Sequence, residues 1–71
     1  MAIKGYVLTV DDEAGVTPAE LAASVEAAGF VVVRTLEAIG VIVGRADEVD
    51  VDRIREVPGV AAIDEDGTLS L

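Results

Sequence analysis

Apolar residues along this chain switch between two periods, and the switches mark its elements. Residues 3–10 (IKGYVLTV) are rich in β-branched and aromatic types and stop at the polar run Asp11, Asp12 and Glu13, so they read as a strand. A helix start follows. Thr17 can cap free backbone N–H groups, Pro18 suits the first helical position, and Glu20 completes a capping box. Leu21, Val25 and Ala28 then recur on one helical face, and Gly29 offers the left-handed residue that commonly closes a helix.

Two further β-rich runs, residues 30–36 (FVVVRTL) and 39–45 (IGVIVGR), are separated only by Glu37 and Ala38, which predicts an antiparallel hairpin. Neither Gly nor Asn lies between the runs, so the turn type stays open. Asp47, Glu48 and Asp50 supply acidic residues for a second helix start, with Val51, Ile54 and Val57 turned inward before Pro58 and Gly59 break the helix. Residues 60–64 form the last strand. The order β-α-β-β-α-β is that of the ferredoxin-like fold, an α+β arrangement with two helices on one face of a four-stranded antiparallel sheet. Residues 1–66 make up this one domain, and residues 67–71 an extended tail.

Two helices cover only one face of such a sheet. A strand exposed on its other side should alternate apolar and polar residues, yet Val31, Val32 and Val33 are consecutive, as are Val41, Ile42 and Val43. Both faces are therefore partly apolar. An uncovered apolar sheet face marks a binding surface for a protein partner or for a second copy of the chain.

Composition narrows the chemistry. With 71 residues there is room for one small core, and chains of this size bury only about 60% of the surface that their unfolded form exposes. No Cys is present to form a disulfide or a thiolate metal site, and no His to serve as general base or metal ligand. Neither a cofactor nor a metal is expected. Ser24 and Ser70 thus have nothing to activate them as nucleophiles. Lys4, the single lysine, is the one candidate for Schiff-base chemistry, but it stands near a terminus with no cavity to lower its pKa. Asp and Glu outnumber Lys and Arg by 14 to 5, for a formal charge of −9, which repels nucleic acid and anionic membranes and leaves neutral or basic proteins as partners. The amino-terminus lacks the pattern of a secretory signal, so the chain as given is expected in the cytoplasm, or outside the cell if a signal has been trimmed. Its apolar runs fall far short of the ~20 residues that span a bilayer.

Residues 5–10 (GYVLTV), 29–32 (GFVV), 39–45 and above all 51–66 (VDRIREVPGVAAIDED) resemble the propeptide domain of subtilisin-like serine proteases, a domain that also occurs free as small protease inhibitors. The resemblance runs from about residue 5 to the end of the chain. It implies the same ferredoxin-like fold, and inhibition or folding assistance in place of catalysis. In that family the helix-free sheet face docks on two parallel helices of the protease, and the tail enters the active-site cleft as a product would.

Parts for both contacts are present. Alternation along the last strand puts Ala62, Asp64 and Asp66 on one face and Ala61 and Ile63 on the other. With Ile63 facing the core, Ala62 belongs to the docking face. Asp64 and Asp66, matching the family's acidic positions, would cap N–H groups at the protease's helix N-termini. Taken without the resemblance, the same residues read as a solvated acidic turn; a calcium loop fits poorly, because only a fragment of the ligand spacing exists. The tail residues Thr68, Leu69, Ser70 and Leu71 include no Pro and no charged side chain, so they suit strand addition along a groove. In one register Leu71 fills the primary specificity pocket and Thr68 the fourth site back; in the other Leu69 takes the fourth site. No protease domain follows in the chain as given, which points to a free-standing inhibitor or a chaperone acting in trans. The alternative class is a regulatory or assembly module that forms a homodimer through the open valine-rich face.

Overall fold

The computed structural model describes residues 2–66. The strands are β1 (Ile3–Val10), β2 (Val31–Leu36), β3 (Val41–Asp47) and β4 (Val60–Glu65), and the helices are α1 (Pro18–Ala27) and α2 (Val51–Arg55). They form one sheet in the order β2-β3-β1-β4, with every neighbouring pair antiparallel. The strands joined by α1 are thus separated by β3, and those joined by α2 by β1. This is the split βαβ connection of the ferredoxin-like fold, in an α+β domain.

Local chemistry accounts for α1. Thr17 Oγ1 accepts from the Glu20 N–H at 3.1 Å, and Glu20 Oε1 accepts from the Thr17 N–H at 2.9 Å, so the predicted capping box is complete and Pro18 opens the helix. At the far end the Phe30 N–H still donates to the Val25 carbonyl at 3.0 Å, which turns the Phe30 ring inward and starts β2 one residue later than predicted, at Val31.

The second helix is shorter than the run of acidic residues suggested. Asp47 accepts from the Val49 N–H at 3.2 Å and starts a 3₁₀ turn, Glu48–Asp50, which leads into only five α-helical residues. Ion pairs of Asp50 with Arg53 (3.5 Å) and Asp52 with Arg55 (3.1 Å) place both cations in the last turn, where the helix dipole favours them.

The hairpin also departs from expectation. Ile39 and Gly40 do not belong to β3: Glu37–Ile39 is a 3₁₀ turn, and Gly40 closes it with φ 66° and ψ 44°. A left-handed residue is needed there, and Gly adopts that conformation without steric cost. The β-branched Ile39 is therefore pulled out of the strand and left 68% exposed.

Side chains of one parity make the core. Tyr6, Leu8 and Val10 of β1 and Ile42 and Ala46 of β3 are buried against Leu21 and Val25 of α1 and Ile54 of α2, with Ala28 and Phe30 closing the end of α1. Val32, Val57, Val60 and Ile63 pack around them half-buried. Both helices thus cover the same face. Gly44 is essential to this packing: a Cβ there would clash with the Val31 carbonyl and lie 2.5 Å from the Phe30 ring. The position has no room for any side chain.

Candidate functional site

The opposite face of the sheet has no helix over it. Its central pair, Val7 and Val43, is half-buried, as are Val41 and Leu36, while Thr9 and Ala62 are exposed. Ile3 (54%), Val31 (63%) and Val33 (52%) extend the apolar surface toward solvent. This is the continuous uncovered face that the valine runs implied, and it is the molecule's candidate docking surface.

A register shift in β2 decides what borders it. Val32 pairs with Gly44 but Arg34 pairs with Val43, so Val33 is an extra residue and the alternation of side chains slips by one place. Unbulged pairing would have sent Arg34 to the helix-covered side and Thr35 to the open one. With the bulge, Arg34 and Leu36 belong to the open face and Thr35 lies opposite the buried Ile42. Arg45, level with Val31 and Gly5, is exposed on the same face. Sequence reading missed both arginines; the spacing of Arg45 two residues beyond Val43 was the available signal, whereas the bulge hid Arg34.

At the other edge, β4 carries the acidic residues. Ala62 pairs with Thr9 and Asp64 with Val7, so both lie on the open face, and Ile63 opposite Leu8 packs on the core. The strand runs one residue longer than predicted, through Glu65. Asp66 follows it, its N–H donating to the Gly5 carbonyl at 2.8 Å, which sets it level with Gly5 and on the side of Asp64. Thr68, Leu69, Ser70 and Leu71 lie outside the described residues.

The lysine belongs to the other side. Lys4 Nζ stands 3.2 Å from Glu48 Oε2 and 3.9 Å from Glu65 Oε1, at the rim of the helix-covered face. The hydrogen bond that it donates to Glu48, and then the charge of Glu65, push its pKa up. A Schiff-base lysine needs the reverse shift, so the geometry makes Lys4 a tether between β1, β4 and the turn before α2. Glu20 is shifted the other way: hydrogen bonds with the Thr17 backbone and side chain hold its carboxyl below the ordinary glutamate value. Among the described residues, no cluster of acidic side chains is arranged to hold a metal ion, and no helix is long and apolar enough to cross a membrane.

Comparisons with protein-family models, with curated proteins and with solved structures gave no significant match.

Proposed function

We propose that the protein is an inhibitor, or a folding chaperone acting in trans, of a subtilisin-like serine protease. The open sheet face docks on the protease, Asp64 and Asp66 cap its helix N-termini, and residues 67–71 lie in the cleft. The observation that carries this reading is that one strand joins the two contacts. β4 sets Asp64 at the edge of an apolar, helix-free face and leads directly to the uncharged segment 67–71. Hydrogen bonds from unpaired N–H groups at a helix start to a carboxylate are charge-assisted and are strengthened by the macrodipole. Extended binding of the tail would supply main-chain hydrogen bonds, with alternate side chains entering pockets. The compartment is that of the protease, in the cytoplasm or outside the cell.

Titration into a broad-specificity subtilisin tests the proposal, with the residual rate of peptide hydrolysis and the mass of the chain followed together. Stoichiometric inhibition with an intact chain is expected. Rapid digestion without inhibition overturns it. Deleting Leu69, Ser70 and Leu71 should weaken inhibition by orders of magnitude while leaving the circular dichroism spectrum unchanged; inhibition that survives the deletion removes the tail from the mechanism.

A further inference from the structure

Register across the sheet aligns four residues of the open face in one row: Arg34 on β2, Val43 on β3, Val7 on β1 and Asp64 on β4. A cation stands at one edge, a carboxylate at the other, and two valines lie between. Consider a second copy rotated by 180° about an axis that runs along the strands midway between β3 and β1. Laid face to face on the first, it presents its strands in reverse order, so β2 of each copy covers β4 of the other and β3 covers β1. Arg34 then meets Asp64 of the other copy, twice by symmetry, and Val43 meets Val7.

The neighbouring rows fit the same operation. Leu36, Val41, Thr9 and Ala62 form the next row, in which Leu36 falls over Ala62 and Val41 over Thr9 with no charge involved. In the row on the other side of Arg34, which holds Val31, Arg45, Gly5 and Asp66, Arg45 falls over Gly5, where no side chain opposes it, and Val31 falls over Asp66. We propose that the open face is a self-complementary interface and that its occupant in the free protein is a second copy of this chain.

Charge distribution supports the choice of partner. The side chains of Arg34, Arg45 and Asp64 form no ion pair among the described residues, whereas Lys4, Arg53 and Arg55 are each paired within the chain. Two arginines and three aspartates (Asp47, Asp64 and Asp66) share the open face, while the remaining surface carries three cations and eleven acids. Two molecules of charge −9 therefore repel each other least through this face. Edge-to-edge pairing through β2 is blocked, because the bulge at Val33 interrupts the row of backbone groups that another strand would need.

Geometry and area set the strength. Sheets packed face to face lie about 10 Å apart and about 30° from parallel, a gap that arginine and aspartate side chains reaching toward each other can close. Four strands spaced about 4.8 Å apart and about 20 Å long present roughly 400 Å² per copy, about half of the ~800 Å² per partner of a standard specific interface and of the size of a weak, transient one. The dimer is thus reversible, and dilution frees the face. This inference does not depend on the protease reading; a protease that used the same face would compete with the second copy.

Sedimentation equilibrium of the full chain from micromolar to millimolar concentration tests it. The mass should rise from 7.3 kDa toward twice that value. Arg34→Glu and Asp64→Arg should each weaken association by about tenfold or more, because each sets like charges against one another in both symmetric pairs. Combining the two substitutions in one chain exchanges the charges and should restore the dimer. An equimolar mixture of the two single variants should also associate, since the introduced acid of one then meets the introduced base of the other. Both side chains concerned are exposed, and circular dichroism checks that each variant keeps the fold. A chain that stays monomeric to millimolar concentration overturns the inference. So does a dimer that neither single reversal weakens, or one that neither combination restores.

Discussion

Ile42 and Val43 are neighbours on β3 and differ by one methylene, yet they belong to different physical regimes. Ile42 is fully buried beneath the helices, within a cluster of aliphatic and aromatic side chains. Val43 is half-buried at the centre of the open face, between Arg34 and Val7. One side of the sheet holds the molecule together, and the other is available to a partner. In a chain this small the apolar residues that the core leaves uncovered cannot be a structural reserve, because they contribute little until something covers them.

Substitutions at the two positions should separate these roles. Ile42→Ala is expected to cost about 2–5 kcal/mol, the transfer free energy plus that of the cavity left under α1, and urea unfolding will register the loss. Thr17→Ala removes the acceptor for the Glu20 N–H and should cost about 1 kcal/mol without altering the open face. Val43→Ala should change stability by less than about 1 kcal/mol, close to the surface range, while weakening association or protease binding. A large stability loss at Val43 would mean that the open face is part of the core and would erase the distinction.

The smallest effect is pH-dependent and confined to the covered side. Because the folded state lowers the pKa of Glu20, the cap contributes fully above the ordinary value of 4.5 and is lost as pH falls through the folded value. Lys4 behaves oppositely. Its raised pKa means that its contribution is complete below 10.5 and disappears as pH rises through the folded value. The stability gap between the parent chain and Glu20→Gln should therefore narrow below pH 4.5, and a gap that stays constant there would show that the Glu20 charge plays no part in the cap.

Legibility in the sequence follows the range of the interaction. The capping box at Thr17 and Glu20 involves residues three apart, and it forms as read. Strand β1 was legible to the residue, since a β-rich run ends at a polar cluster whose first member, Asp11, accepts from the Glu13 N–H at 2.9 Å. The turn between β2 and β3 was misplaced because Ile39 has a strong β preference, which the left-handed demand at Gly40 overrides. The second helix was anticipated from its acids, but its length depends on how soon Val57 must turn back toward the core. Of the candidate site, Ala62, Asp64 and Asp66 were placed correctly on one face by simple alternation, whereas Arg34 was not recognised at all.

By itself the sequence determined four strands, one well-capped helix, an acidic surface and an excess of valine over what one core face can absorb. These are local or compositional properties, and each is readable within a few residues. The tertiary structure alone decided that the extra residue at Val33 turns Arg34 to the open side and brings it level with Val43, Val7 and Asp64. That alignment joins four strands far apart in the chain. It depends on the register in which the core packs, with Gly44 making room for Phe30 against β3, and no short window of sequence contains that information.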